Sequence, residues 1–151
     1  MTIDTPPLLD GQHVPEGTPI TYNSNPPSSG QHYPVWANFL EYPTPIPLPY
    51  LVHDLEHGAI LLLYKCTENC TPVVEALRRV RDSLPTDPKC DPSVRVRVVI
   101  APEPSLDVPV AASAWGWIYK AQCVDEPTLS AFAREHYGQG TEDFCTPGRT
   151  F

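Results

Sequence analysis

Two histidines and a glutamate lie close together in one short stretch of this chain. His53 and His57 are four residues apart, and Glu56 stands between them. On a helix, positions i and i+4 share one face. Neutral imidazole is the commonest side-chain metal ligand, so this spacing predicts a metal site. The alternative is that both histidines are structural residues that cap and hydrogen-bond the start of the strand that follows.

The same residues fit the His-x-x-Glu-His pattern of inverted zincin peptidases, in which the glutamate is a general base beside two zinc-bound histidines. Those motifs lie inside a long helix. Here alternating prolines occupy residues 43–49 and Gly58 follows His57 at once. This leaves room for barely two helical turns, so we do not expect a peptidase.

The five cysteines indicate an oxidising compartment, because a small acidic chain with this many thiols is typical of exported proteins. We expect two disulfides and one thiol left over, with a pairing that the sequence does not determine. The cysteines are Cys66, Cys70, Cys90, Cys123 and Cys145.

Cys66 and Cys70 suggest a second kind of chemistry. They lie between a predicted strand and a predicted helix, where the helix dipole stabilises a thiolate. Thioredoxin-like proteins place their paired cysteines at that junction, and copper-delivery proteins of that fold use a three-residue spacer and a histidine. The Val-Pro-Val of residues 108–110, which precedes a later strand, also resembles a feature of thioredoxin-like proteins. A thioredoxin-like redox or copper-delivery protein is therefore the alternative hypothesis, beside a plain structural disulfide.

The charge and length of the chain limit its partners. A net charge of −8 over 151 residues, with a pI near 4.9, argues against nucleic acid and anionic membrane surfaces, which need clustered Lys and Arg. No apolar run approaches the roughly 20 residues of a transmembrane helix, so we expect no membrane contact by the domain itself. A metal ion is the predicted partner, and no protein partner is indicated.

The start of the chain bears on its location. The first seven residues have neither the basic start nor the apolar stretch of a signal peptide, and Met1 is the only methionine. We expect that an export signal or membrane anchor has been removed and that the protein is extracytoplasmic: periplasmic, secreted or membrane-tethered.

The elements that must position these residues follow a β-α-β-β-α order. Residues 59–65 are apolar on both faces, as in a central strand, and Thr71-Pro72 opens a helix that Pro85 ends. Two further strands and a second helix are predicted over residues 94–100, 108–119 and 127–138. A crossover helix makes the first two strands parallel. We therefore predict an α+β fold, a small mixed sheet with the helices on one face.

One domain is predicted over residues 1–151, with an irregular wrap over 1–50, a core over 51–137 and a tail over 138–151. More than half of the 20 prolines fall in the wrap, which favours extended backbone. Its aromatic residues are too numerous for a solvated linker. A further alternative is a non-catalytic binding module whose binding face is this aromatic, proline-rich first third, with Trp36, Trp115 and Trp117 lining a groove.

Three motifs resemble a known family. They are YNSNPPSSGQH at residues 22–32, HDLEHG at 53–58 and AWG at 114–116, and GQHV at 11–14 resembles the family's opening. The chain is thus similar, over about residues 11–137, to the uncharacterised bacterial family numbered 3105 among the domains of unknown function. The resemblance implies no activity, although family members look like exported or membrane-tethered domains. The cysteines are not general to the family, so chemistry at Cys66 or Cys70 would be specific to this branch.

The resemblance also selects among the histidines. Four of the five match family positions: His13, His32, His53 and His57. The fifth, His136, lies on the apolar side of the last predicted helix and is expected to be a core or surface residue. Three imidazoles suffice for an open zinc or copper site, and four close a structural one. We predict a copper or zinc ion bound by His32, His53 and His57, with His13 as the fourth ligand. Glu56 is then a further ligand, the acceptor that fixes a histidine tautomer, or only a surface charge. No catalytic residue is assigned.

Overall fold

A computed structural model describes residues 1–151. It contains five strands and three helices, in the order β1 (Thr2–Asp4), α1 (Leu48–Glu56), β2 (Ile60–Tyr64), α2 (Thr71–Asp82), β3 (Val98–Pro102), β4 (Val110–Ala114), β5 (Trp117–Ala121) and α3 (Glu126–His136). The strands form one mixed sheet in the order β1-β5-β4-β2-β3. The predicted α+β class with a small mixed sheet is confirmed.

The central strand β2 determines how the sheet is assembled. It pairs in parallel with β3, with Ile60 opposite Val98, because helix α2 carries the chain back across the sheet between them. On its other side β2 pairs antiparallel with β4, with Leu62 opposite Ala112. All five residues of β2 are buried, as expected of a strand covered on both faces.

The strand predicted over residues 108–119 is wrong in its extent. The chain reverses at Gly116 and forms the hairpin β4–β5, with Ala114 opposite Trp117. Gly116 has φ +80°, a left-handed conformation that glycine adopts without steric cost. The edge strand β1, which pairs antiparallel with β5, had no signal in the sequence.

The two faces of the sheet carry different cores. Because side chains alternate along a strand, Ile60 and Leu62 face α2 and α3, where Leu77 and Phe132 join them. The opposite face is covered by α1 and by irregular chain: Leu61, Leu63, Leu51, Leu55, Tyr42 and Ile46 pack together there. Helices α2 and α3 thus share one face, whereas α1, which bears the paired histidines, lies on the other.

Isolated bridges fix the irregular chain between β1 and α1. His13 bridges His32, Ala37 bridges Arg149, and Glu41 bridges Ile100 of β3. Helix α1 then begins at residue 48 with a proline in its first turn. Proline is tolerated there because a backbone N–H in the first turn makes no hydrogen bond within the helix. The first third of the chain therefore delivers two histidines to the neighbourhood of α1.

Two disulfides and one thiol are present, as predicted. The bonds join Cys66 to Cys70 and Cys90 to Cys145, and Cys123 is an exposed thiol. Two disulfides suggest an oxidising, extracytoplasmic environment. None of the helices has the length and apolar character needed to cross a membrane.

Candidate metal centre

Helix α1 holds His53 and Glu56 on the side that faces away from the sheet core. The helix ends at Glu56, and His57 is its C-cap residue. Gly58 follows with φ +83°, and a Cβ at this position would lie 2.8 Å from the Gly138 Cα. This close approach requires glycine, and it brings the C-terminal segment against the end of α1.

The C-terminal segment is fixed to the helix end by backbone hydrogen bonds. The Gly138 N–H donates to the Gly58 carbonyl at 2.8 Å, and the Glu142 N–H donates to the Glu56 carbonyl at 2.9 Å. The buried Arg97 guanidinium donates to the His57 carbonyl and to Asp143, both at 2.8 Å. Glu142 is thereby placed beside His57.

His13 and His32 come from the irregular first third. The Val14 N–H donates to the His32 carbonyl at 2.8 Å, and the His32 N–H donates to the Gln12 carbonyl at 3.2 Å. His32 is fully buried, whereas the His13 side chain is 45% exposed. This short parallel contact presents one buried and one exposed imidazole to α1.

Three imidazoles converge on one carboxylate oxygen. Glu56 Oε2 lies 2.9 Å from His32 Nε2, 3.3 Å from His13 Nε2 and 3.9 Å from His53 Nε2. One ligand atom from each of the four residues lies within 4.8 Å of all the others. The group therefore has the donor types and spacing that can hold a metal ion.

The other ring nitrogens of two of these histidines are already engaged. His32 Nδ1 lies 2.9 Å from the Gly30 carbonyl oxygen, and His53 Nδ1 lies 2.6 Å from that of Tyr33. A carbonyl only accepts hydrogen bonds, so each Nδ1 carries the proton. In the neutral ring, Nε2 then presents a lone pair to the centre of the cluster.

The charges in the cluster favour a bound cation. Burial lowers the pKa of His53 to about 4, so this ring is neutral at pH 7. Burial opposes ionisation of Glu56, but the charge of His32 and hydrogen bonds from His13 and His32 outweigh it and hold the pKa of Glu56 below its usual value. Because a carboxylate only accepts hydrogen bonds, His32 Nε2 carries a proton towards Glu56 Oε2 at 2.9 Å, and a metal ion would replace that proton and take both atoms as ligands.

His57 stands at the side of this group. Its Nε2 lies 3.1 Å from His53 Nε2 and 3.2 Å from Glu142 Oε2, and its buried Nδ1 has no partner. Burial lowers the pKa of His57 to about 4. With Glu56 and Glu142 it forms a second group that can hold a metal ion.

The cluster opens to solvent through a cleft of about 480 Å³. Its walls include His13 and His53 from the cluster and His57 beside it, together with Trp36 and Phe144. The Trp36 and Phe144 rings lie 4.8 Å and 5.0 Å from the His57 ring. Two aromatic rings thus form part of the cleft wall beside His57.

Comparison with protein families decides the family of this chain. The model of the family described as "Protein of unknown function (DUF3105)" matches residues 13–147. The chain belongs to the DUF3105 family. No curated protein and no solved structure matches it.

In this DUF3105 chain the four histidines predicted as ligands are neighbours in space, but they do not form one group. His13, His32 and His53 surround Glu56, and His57 is directed at Glu142. His136 is buried elsewhere, stacked on Trp117 at 4.3 Å between ring centroids.

Sequence reasoning missed one residue of the site, Glu142. Trp36 was named with Trp115 and Trp117 as lining the groove of a binding module, and of these three only Trp36 lines the cleft at the histidines. Glu142 falls in residues 138–151, which were predicted to be a tail, and no local pattern distinguishes it from other surface acids. The glycines at 138 and 140 were the available signal, because they permit the close backbone approach that fixes Glu142.

Proposed function

We propose that this DUF3105 domain binds a transition-metal ion, copper or zinc, through Nε2 of His13, His32 and His53, with Glu56 as the fourth ligand, and that it serves in metal handling. The observation that carries the proposal is the orientation of the buried imidazoles. His32 and His53 donate through Nδ1 to backbone carbonyls and direct Nε2 at one carboxylate oxygen. Metal-binding histidines are held by the same kind of hydrogen bond.

The donor set fits a borderline divalent ion. Three imidazole nitrogens and one carboxylate oxygen suit Zn²⁺ and Cu²⁺, whereas Cu⁺ prefers thiolates and thioethers, and neither is present among the four residues. Tetrahedral ligands with bonds of about 2 Å lie about 3.3 Å apart. The present separations all lie within 4.8 Å, so the side chains would move closer together on binding an ion.

Exposure of one ligand supports handling over a purely structural role. A structural zinc site has four protein ligands and no open position, but here one of the four, His13, is 45% exposed and borders the cleft. An ion held partly by an exposed side chain can be exchanged with a partner or reach a substrate.

Metal content after loading tests the proposal. All proteins carry Cys123→Ser, which removes the exposed thiol as a competing ligand. They are incubated with copper or zinc and freed of excess ion, and the bound metal is measured by elemental analysis. We expect close to one ion per chain in the parent, loss of binding in the double variant His32→Gln/His53→Gln, and weaker binding in His13→Ala.

His136→Gln is the matched control, because it replaces a buried histidine outside the cluster. Circular dichroism verifies that each variant is folded, and His13→Ala, which changes an exposed side chain, guards against misfolding of the buried variants. Full-stoichiometry binding by a folded His32→Gln/His53→Gln variant overturns the proposal.

A further inference from the structure

The Cys66–Cys70 disulfide lies apart from the histidine cluster. Cys66 follows β2 closely, Cys70 directly precedes α2, and both pack against the core shared with α2 and α3. The histidines surround α1 on the other face of the sheet. Chemistry at this disulfide is therefore independent of the proposed metal site.

The two disulfides of the chain differ in what they constrain. Cys90–Cys145 joins residues 55 positions apart, whereas Cys66–Cys70 joins residues only four positions apart. The stabilisation expected from a cross-link increases with the length of the loop it closes. The short disulfide therefore constrains the unfolded chain less than Cys90–Cys145 does. Stabilisation of the fold is a weaker explanation for its presence.

A cavity of about 380 Å³ opens beside the short disulfide. Its walls include Cys66, the thiol-bearing Cys123, Pro109, Val73 and Val110. The sheet register explains the convergence, because Tyr64 of β2 and Ala121 of β5 both pair with Val110 of β4. The segments that carry Cys66, Pro109 and Cys123 therefore adjoin the sheet at the same end of its strands.

The two sulfurs of this disulfide have different surroundings. Cys66 lines the cavity, whereas Cys70 does not. Cys70 is the N-cap residue of the 12-residue helix α2, whose first turn has no side-chain cap. The partial positive charge at a helix N-terminus stabilises a thiolate. Both cysteines are half-buried, so Cys66 is the sulfur that a substrate in the cavity meets, and Cys70 is the sulfur that leaves more readily with negative charge.

We propose that Cys66–Cys70 is a thiol–disulfide exchange site that oxidises a polypeptide bearing two cysteine thiols. A substrate thiolate attacks Cys66 Sγ, a substrate–Cys66 disulfide forms, and the Cys66–Cys70 bond breaks with its electron pair on Cys70 Sγ. The second substrate thiolate then attacks the substrate sulfur of the mixed disulfide and releases Cys66 as a thiolate. The substrate loses two electrons and the protein disulfide gains them. The apolar walls at Val73 and Val110 accommodate the side chains that flank the substrate cysteine.

The experiment traps the first step in the full chain carrying Cys123→Ser, which keeps the protein's own thiol out of the reaction. The oxidised protein is mixed with an unstructured peptide containing one cysteine, quenched by alkylation at set times, and mapped by mass spectrometry. We expect the peptide on Cys66 and the alkyl group on Cys70, in at least tenfold excess over the reverse, while Cys90–Cys145 stays intact.

A synthetic oxidised peptide of residues 64–72 is the matched control, because it contains the same disulfide without the cavity or the rest of α2. The folded protein should react at least tenfold faster than this control. Equal rates, equal attack on the two sulfurs, or no reaction of Cys66–Cys70 overturns the proposal, whatever the metal experiment gives.

Discussion

At the scale of single residues, the site is defined by which nitrogen of each histidine is free. Gly30 and Tyr33 fix His32 and His53 through Nδ1, so both rings enter the cluster with Nε2 first. His57 has no such partner on Nδ1. Its other ring nitrogen, Nε2, lies close to both His53 Nε2 and Glu142 Oε2. The three buried imidazoles are therefore not equivalent.

The difference predicts unequal effects of substitution. His57 lies beside the four-residue group, so His57→Gln should weaken metal binding by about 10–100-fold, as removal of an outer partner does, and leave about one ion per chain. His32→Gln should abolish stoichiometric binding. Isothermal titration of both variants with Zn²⁺ measures the difference. Loss of binding in His57→Gln equal to that in His32→Gln would place His57 among the ligands.

The buried histidines also make the metal-free protein sensitive to acid. His53 and His57 have pKa values of about 4, against an ordinary 6.5, so between these values the unfolded chain binds more protons and stability falls as pH falls. From pH 6.5 to 5 the loss should be about 1–3 kcal/mol. Carboxyl groups with lowered pKa contribute mainly below pH 4.5. Buried Asp54, whose pKa is raised by burial, acts in the opposite direction.

Urea unfolding with a chelator present, at pH 6.5 and pH 5, measures this loss. His53→Gln/His57→Gln is the comparison that isolates the histidines, because it leaves Asp54 and the other carboxyl groups unchanged. Its free energy of unfolding should fall less between the two pH values than that of the parent. An equal fall in both proteins would assign the acid sensitivity to other groups.

At the scale of elements, the site is positioned where the end of α1 meets the C-terminal segment. We call this contact between Gly58 and Gly138 the joint. Gly58 and Gly138 approach so closely that a Cβ on Gly58 would meet the Gly138 backbone at 2.8 Å. The same contact brings Glu142 to His57 through the hydrogen bond to the Glu56 carbonyl. Disturbing this joint should therefore affect both stability and metal binding.

Two glycines allow a controlled test of that joint. Gly17 and Gly58 have nearly the same φ, +86° and +83°, but a Cβ on Gly17 would have no neighbour within 4 Å. Gly17→Ala should cost about 1–2 kcal/mol for the left-handed backbone alone, with metal binding unchanged. Gly58→Ala should cost about 3 kcal/mol or more, because a steric clash is added, and should weaken metal binding. Urea unfolding and zinc titration check both effects, and equal behaviour of the two variants would contradict this role of the joint.

Local sequence patterns predicted the elements whose causes are local. The apolar run that forms β2 and the Thr71-Pro72 start of α2 are such features, as is the i, i+4 spacing of His53 and His57. Features that depend on distant contacts were missed. Strand β1 exists because β5 offers it an edge, and Glu142 joins the site because Gly138 and Gly58 meet. The hairpin at Gly116 had its glycine signal, but the small apolar residues around it read as one continuous strand.

At the scale of the whole molecule, the Cys90–Cys145 disulfide connects the C-terminal segment to the rest of the chain. Cys145 is buried and follows Phe144, whose ring contacts His57 at 5.0 Å between centroids. The Asp91 N–H donates to the Cys145 carbonyl at 2.9 Å. The disulfide thus fixes one wall of the cleft and, through the same segment, Glu142.

Removal of each disulfide should therefore have a different effect. Cys90→Ser/Cys145→Ser opens a loop of 55 positions and should lower the free energy of unfolding by about 4 kcal/mol, whereas Cys66→Ser/Cys70→Ser opens one of four and should lower it by about 2 kcal/mol. Only the first pair should also weaken zinc binding, because it releases the cleft wall beside His57. Urea unfolding and zinc titration of both double variants separate these effects. If zinc affinity falls equally in both, the C-terminal segment has no specific role at the metal centre.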